Sequence, residues 1–443
     1  MAFVEKDRKL IVLERPPVIE TAILVRLVLP GDTDEEVHES LEEMKRLAST
    51  AGATIACTFI QRRAEACPAT LIGAGKVEQV RAAALEHDAN LVVFDSDLTP
   101  TQGAKLQKAL DVKVLDRTQL ILDIFAQRAR TNEGKHQVEL AQLQYTLPRL
   151  TGRGVEMARL GGGIGTRGPG EQKLEVDRRV IRKRIDRLRA ELELIRKHRR
   201  VQRKKRAEDS AGTVALVGYT NAGKSSLLNA LTRANVLVED KLFATLDPTS
   251  RRCSLPGKGS IIMTDTVGFI RKLPHSLVAA FRATLEEVNE ADLILLVADV
   301  SHGGVDDHIR AVLAVLDEIG ALDKPIVTVY NKTDVADPHV VRMKTHSGED
   351  CVAVSAKTGE GLDRLLRRMD AHFASRRRRV TLRIPHREPR LIARVYEHGR
   401  VFHREYLDDS VMLDAEVGAS LGGAIAPYEL LSDQGDIPVD HDD

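Results

Sequence analysis

The order of apolar runs along the chain predicts an α/β protein. The expected parts are an N-terminal α/β domain with a long antiparallel helical hairpin, a central phosphate-binding-loop domain on a mixed, mostly parallel sheet, and a small C-terminal α/β or β-rich domain. Three observations carry this expectation. Strand-like and helical runs alternate from residue 18 to about 116; two stripes of helical period flank a glycine-rich loop; and a glycine-lysine loop follows the apolar run Val214 to Val217.

In the first region, Ala22 to Leu29, Thr54 to Ile60, Leu91 to Phe94 and Val112 to Leu115 read as strands. Glu35 to Ser49, Lys76 to Leu85 and Gln102 to Leu110 read as helices, which together make an α/β layer over residues 1–116. No catalytic constellation is legible there; the turn Leu71 to Lys76, with Gly73, Gly75 and Lys76, reads equally as a structural turn and as a phosphate contact. From Thr118 to Leu150 the pattern is one long helix, with Leu140, Leu143, Leu147 and Leu150 at helical spacing. A second helix from about Glu171 places Leu174, Ile181, Ile185, Leu188, Leu192 and Ile195 on a stripe of period about 3.5, as in a coiled coil. The two predict a hairpin over residues 117–210.

The tip of that hairpin, 151–170, holds eight glycines together with Arg153, Arg159 and Arg167. It includes a formal G-x-G-x-x-G at Gly163, Gly165 and Gly168, but no strand precedes it, which excludes a dinucleotide site. Arg178 to Arg206 then carries 15 Lys/Arg against three acids, in a chain whose net charge is only +1. A basic stalk of this kind, with candidates such as Arg182, Lys183 and Arg187, fits structured RNA, where phosphate contacts position the protein and glycine permits close approach. A plain flexible linker is the bland alternative for the tip.

The central region, 211–375, begins with Gly218-Tyr-Thr-Asn-Ala-Gly-Lys-Ser225, which fits G-x-x-x-x-G-K-[ST]. Gly218, Asn221, Ala222, Gly223, Lys224, Ser225 and Ser226 are the phosphate-binding candidates: backbone N–H groups close around the phosphates, Lys224 reaches the β/γ oxygens and Ser225 offers its hydroxyl to Mg²⁺. Ile261 to Thr264 reads as a buried strand running into Asp265-Thr-Val-Gly268, which sets a carboxylate near Mg²⁺ and a glycine amide near the γ-phosphate. Pro325 to Tyr330 ends in Asn331-Lys332-Thr333-Asp334, whose carboxylate can accept two hydrogen bonds from guanine N1 and N2, a donor pair adenine lacks. Ser355-Ala356-Lys357 follows a further strand and suits a backbone amide to the base carbonyl. These four signals, each at the carboxyl end of an expected strand, resemble the GTPase superfamily and imply GTP/GDP as the ligand.

Between Ser225 and Asp265, Thr245 is the expected second Mg²⁺ ligand and Thr249 the alternative, in a loop that orders on triphosphate binding. Lys224, Thr245 and Gly268 form the expected catalytic set. Phe269 stands where many GTPases have a water-orienting glutamine, which predicts slow intrinsic hydrolysis completed by a partner or an ion. Asn221 matches the asparagine that, in GTPases with an apolar residue at that position, helps bind activating K⁺.

Beyond Arg376 to Arg379, the runs Leu391 to Tyr396 and Val401 to Tyr406 read as strands of a small domain over 376–431, and the acidic residues 432–443 read as a tail. Cys57, Cys67, Cys253 and Cys351 are widely spaced, which indicates neither a zinc site nor a disulfide framework and fits a reducing cytosol. No apolar run approaches the roughly 18 residues a spanning helix needs, and early charges exclude a secretory signal, so a cytoplasmic protein is expected. No feature points to DNA, and a monomer is expected.

Outside the motifs common to all GTPases, Val114 to Ala126, Glu133-Gly-Lys135, Val138 to Gln142 and Gly161 to Glu171 closely resemble the HflX family over about residues 20 to 431. His136 departs from the aliphatic residue expected there. The resemblance implies a bacterial-type GTPase that binds the large ribosomal subunit in its GTP form and is linked to splitting or rescuing ribosomes under stress. It also implies that the tip loop points toward the peptidyl transferase centre and that the basic helix lies against ribosomal RNA. Two rival readings remain from the residues alone: a GTP- or ATP-driven RNA remodelling enzyme, and a GTPase scaffold whose hairpin binds a protein partner.

Overall fold

In the computed structural model the described residues are 3–6, 9–12, 20–151, 169–207, 212–232, 242–243, 245–257, 259–271, 282–346, 350–374 and 378–430. The chain divides into two compact units, Met1–Arg189 and Ala190–Asp443. The first unit opens with an antiparallel pair, β1 (Phe3–Lys6) and β2 (Lys9–Val12), which the sequence reading did not anticipate. Then come β3 (Glu20–Val28), α1 (Asp34–Ala51), β4 (Ala53–Arg62), α2 (Ala74–Glu86), β5 (Leu91–Phe94), α3 (Pro100–Leu110) and β6 (Lys113–Asp116). The four strands lie in the order β4-β3-β5-β6, every neighbouring pair parallel.

Local chemistry explains the boundaries. Thr33 caps α1 in a reciprocal box with Glu36, and Gly52, at φ 94°, ends that helix in the left-handed conformation. Thr99 does the same for α3 with Gln102, ahead of Pro100. Ile23, Val25, Val92 and Phe94 are buried against α2 and α3 residues such as Val80 and Leu106. The turn before α2 is built structurally: the Gly73 amide donates to Gln61 Oε1 at 2.9 Å, and the Arg63 guanidinium lies where a Gly73 side chain would begin.

The expected single helix from Thr118 to Leu150 is two helices, α4 (Arg117–Arg128) and α5 (Asn132–Thr146), followed by a 3₁₀ turn (Leu147–Thr151). Ala129 leaves the helical conformation at ψ 110°, and Thr131 starts the next helix by accepting from the Gly134 amide, so side-chain capping defeats the apolar period. The long helix α6 spans Pro169–Ala207, 39 residues. Within the first unit Ile185 and Leu188 of its stripe are buried, and Arg184 forms a two-bond pair with Glu139 of α5 at 2.7 Å. Of the expected tip loop, residues 152–168 with Arg153, Arg159 and Arg167 lie outside the described residues, and Pro169 and Gly170 already belong to α6.

In the second unit β7 (Thr213–Gly218), α7 (Lys224–Thr232), β8 (Thr249–Ser254), β9 (Ser260–Asp265), α8 (Arg282–Asn289), β10 (Leu293–Asp299), α9 (Val305–Glu318), β11 (Ile326–Asn331), α10 (Pro338–His346), β12 (Cys351–Ala353) and α11 (Leu362–Ala374) follow in order. The sheet runs β12-β11-β10-β7-β9-β8, parallel except for the antiparallel edge β8. Alternation along β7 explains the layering: Val214 and Leu216 enter one core with α7 and α11, while Ala215 and Val217 enter the other with α8 and α9. At the start of this unit Gly212 is required by close approach, since a Cβ there would meet the Phe373 ring of α11 at 2.2 Å.

The remaining segment contains β13 (Arg378–Pro385), α12 (Pro389–His398), β14 (Arg400–Tyr406), β15 (Ser410–Val417), α13 (Ala419–Ile425) and β16 (Glu429–Leu430), with an antiparallel sheet in the order β14-β15-β13-β16. Here the expected strand Leu391 to Tyr396 is part of α12. Pro389 starts the helix, and Leu391 and Val395, four residues apart, turn the same way into the core.

Candidate functional site

Gly218 to Ser225 links β7 to α7, and its backbone is shaped by three left-handed residues, with φ 157° at Gly218, 61° at Asn221 and 91° at Gly223. The second glycine is obligatory for another reason. A Cβ on Gly223 would strike Asn331 Nδ2 at 2.2 Å. Lys224, at the first turn of α7, is buried, and its Nζ donates to the carbonyls of Gly218 at 3.1 Å and Tyr219 at 2.9 Å. Burial pulls its ammonium down to about 8, against the attraction of Asp265.

Asp265 ends β9 fully buried. Its Oδ2 accepts from Ser225 Oγ at 2.6 Å and Thr245 Oγ1 at 3.0 Å, and the two hydroxyls are themselves 3.0 Å apart. Among the described residues Asp265 Oδ1 has no hydrogen-bond partner. Burial raises the Asp265 carboxyl above the ordinary aspartate range, opposed by Lys224 and the two hydroxyls. Of the two threonine candidates, Thr245 is the one brought to Ser225 and Asp265; Thr249 begins β8, in backbone register opposite Asp265. Gly268 lies so close to the loop that a Cβ would come within 2.8 Å of Thr220 Cγ2 and 3.0 Å of Lys224 Nζ. Phe269 is fully buried in the core with Val217, Leu285 and Val288, facing away from the polar cluster.

On the base side, Asn331 ties three loops together: its Nδ2 donates to Ala222 O at 2.9 Å and its Oδ1 accepts from the Ala356 amide at 3.0 Å. Asp334 Oδ1 accepts from Ser355 Oγ at 2.8 Å, which fixes the carboxylate, and Lys332 Nζ pairs with Asp299 Oδ2 at 2.7 Å. Asp299 ends β10, a central strand whose signal in the sequence is the continuously apolar run Leu293 to Ala298. Ser226 is half-buried behind the loop, while Asn221 and Lys357 are exposed. Arg182, Lys183 and Arg187 are exposed on α6. Tyr219, Arg271 and His308 were not anticipated; their only signal in the sequence is that Tyr219 fills a variable place of the loop.

Four family models cover most of the chain: "GTP-binding GTPase N-terminal" over residues 38–126, "GTP-binding GTPase Middle Region" over 128–206, "50S ribosome-binding GTPase" over 213–332 and "HflX C-terminal domain" over 340–425. The protein GTPase HflX of Lacrimispora saccharolytica is 47% identical over 92% of this chain and 96% of its own length. That of Caldanaerobacter subterraneus is 48% identical over 90% and 91%. The Escherichia coli protein is 41% identical over 90% and 93%. The chain belongs to the HflX family of GTPases. It is therefore a GTP-binding enzyme that hydrolyses GTP, of a ribosome-associated family. Among the described residues no helix is long and apolar enough to cross a membrane.

Proposed function

We propose that this protein is a GTP-driven switch that binds the large ribosomal subunit in its GTP form and acts in ribosome splitting or rescue under stress. The observation that carries the reading is the meeting of Ser225, Thr245 and Asp265, because it joins the phosphate loop, the loop before β8 and the end of β9 at one point. A triphosphate bound there holds both flanking segments, and its hydrolysis releases them. The description of the model matching residues 213–332, "50S ribosome-binding GTPase", supports the partner.

The oxygen set fits Mg²⁺: two hydroxyls and a carboxylate with one uncommitted oxygen are the hard donors that ion takes. Ser225 and Thr245 would hold it with Asp265 behind them, and it would neutralise charge on the β- and γ-phosphate oxygens. The chain's own groups do the rest. Lys224 turns from the loop carbonyls to the β/γ oxygens, the Gly268 amide faces the γ-phosphate, and the phosphate-loop amides of Asn221 to Ser226 surround the phosphates. Asp334 reads guanine, with Asn331, Lys332 and Ser355 to Lys357 completing the base pocket. Since Phe269 is sunk in the core, the residue directly after Gly268 offers no side chain to orient the attacking water. Intrinsic hydrolysis is slow, and the ribosome or a K⁺ ion bound with the help of Asn221 completes the site.

A path outward supports the switch. Within the second unit, Arg196 of α6 makes a two-bond pair with Glu286 of α8 at 2.9 and 3.0 Å, and Arg199 faces Glu287 at 3.8 Å. The helix that follows the Gly268 segment is thus tied to the basic helix. In this reading Arg182, Lys183 and Arg187, with Arg153, Arg159 and Arg167 of the tip, contact ribosomal RNA. The protein works as a cytoplasmic monomer, and its parts are 1–116, 117–210, 211–375 and 376–431 with the tail 432–443.

The test is the GTP hydrolysis rate in K⁺ buffer alone, with naked ribosomal RNA, and with intact large subunits. Stimulation by subunits only is expected. Stimulation by naked RNA would point to a remodelling enzyme, and equal rates in all three to a scaffold with another partner. Replacing K⁺ by Na⁺ slows hydrolysis if Asn221 serves an ion; equal rates would sink that role.

A further inference from the structure

Gly268 is held from both sides by the strand and loop that form the phosphate site. Upstream, Thr266 Oγ1 donates to Leu216 O at 2.6 Å. Downstream, the Phe269 amide donates to Gly218 O at 3.1 Å, and Phe269 O accepts from the Thr220 amide at 2.7 Å. Two residues further on a side chain takes over from the backbone: the Arg271 amide donates to Tyr219 Oη at 2.7 Å. Tyr219 is itself part of the phosphate loop, only 8% exposed. Its ring stacks on His308 of α9, with centroids 3.8 Å apart and an 8° interplanar angle. His302 tilts against the other ring at 4.5 Å, and Asp307, beside His308, faces the Arg271 guanidinium at 3.9 Å. The N-terminal turn of α9 therefore grips both members of the contact, Tyr219 through His308 and Arg271 through Asp307.

We infer that Tyr219 is a positioning residue for GTP hydrolysis: stacked on His308, it anchors the Arg271 amide and thereby fixes where the Gly268 amide stands relative to the γ-phosphate. The chemistry favours this arrangement. A phenol can accept the backbone hydrogen bond that an adjacent strand would otherwise accept, while a flat ring between a helix and the phosphate loop resists sliding. A neutral imidazole suits the stack, and burial with His302 and Arg271 nearby holds His308 well below its ordinary value, at about 4. The inference rests on the reading of Gly268 as the γ-phosphate sensor, so its test must separate the two.

The experiment compares Tyr219→Phe, His308→Ala, His308→Phe and Gly268→Ala in the full chain, measuring kcat and KM for GTP, GDP affinity and melting temperature. Tyr219→Phe keeps the ring and loses only the hydroxyl. It is expected to lower kcat roughly three- to tenfold, the size of one hydrogen bond, with KM and GDP affinity within about twofold of the parent. His308→Ala is expected to do the same, and His308→Phe, which keeps the stack, to restore the rate. Gly268→Ala is expected to cost more than any of them. An unchanged kcat in Tyr219→Phe while Gly268→Ala is impaired would overturn the clamp and leave the sensor intact. A fall in GDP affinity parallel to kcat would also overturn it, since the tyrosine would then merely hold the loop together. A silent Gly268→Ala beside a slowed Tyr219→Phe would remove the sensor assignment and keep Tyr219 as a positioning residue acting on the phosphate loop itself.

Discussion

At the carboxyl ends of the N-terminal strands, Asp95 spends both oxygens on the protein: Oδ2 accepts from Arg26 and from Ser40 at 2.6 Å, and Oδ1 accepts from Arg117 at 2.8 Å. Arg117 also pairs with Glu43, and Asp116 is filled in the same way by the Leu98 and Gln119 amides, Tyr145 and Arg149. At the matching ends of the nucleotide sheet, Asp265 engages one oxygen and keeps the other without a partner among the described residues, and Lys224 rests on loop carbonyls. Both sheets place buried charge at the edge where open α/β sheets bind ligands. One edge commits the oxygens of its buried aspartates to the protein and serves as a core; the other leaves a carboxylate oxygen for a ligand. Buried charge alone therefore does not identify a site; what sets the nucleotide edge apart is an acceptor oxygen, Asp265 Oδ1, with no donor committed to it among the described residues.

The sharpest break of this comparison comes from removing one charge at each edge. Asp95→Ala takes a buried carboxylate from two guanidinium groups, leaving Arg26 to Asp32 and Arg117 to Glu43, and is expected to destabilise the first unit by about 3 kcal/mol in chemical denaturation, while kcat of the folded protein stays the same. Lys224→Ala is expected to do the reverse, lowering kcat by about 100- to 1000-fold with little loss of melting temperature. A large stability loss in the second variant would mean that both edges are structural. The third effect is pH-dependent. Because the folded-state ammonium of Lys224 sits near 8, below its unfolded value, the nucleotide-free unfolded chain binds more protons between about 8 and 10.5. Stability of the second unit should therefore rise with pH across that window, and Lys224→Met should flatten the rise. The smallest effect is expected at a surface pair: Arg184→Ala, which breaks the half-exposed contact with Glu139, should cost about 1 kcal/mol or less.

Much of this was legible in the residues. Leu91 to Phe94 reads as a strand because four apolar residues sit between turn signals, and it is β5 without adjustment. The candidate nucleotide site is legible because the chemistry admits few residue types at fixed spacing, and the structure brings Ser225 to Asp265 and Asn331 to Ala222. What escaped depends on contacts distant in the chain. The break at Ala129 is a capping event inside an apolar period; α12 reads as a strand until Pro389 and the spacing of Leu391 and Val395 are weighed; and the pairing of Tyr219 with Arg271 joins residues 52 positions apart. The hydrogen-bond accounting of Asp95 against Asp265 likewise exists only in three dimensions.

Asn331 has a consequence for error rejection. Because one amide side chain bonds the carbonyl of Ala222 in the phosphate loop and the amide of Ala356 in the base loop, and because Gly223 leaves room for it, the two halves of the nucleotide pocket are not independent. A nucleotide whose base sits badly tugs the same stitch that keeps the loop around its phosphates in shape. With Asp334 reading the base as proposed, an incorrect base is penalised twice, once at that carboxylate and again at the opposite end of the molecule it belongs to.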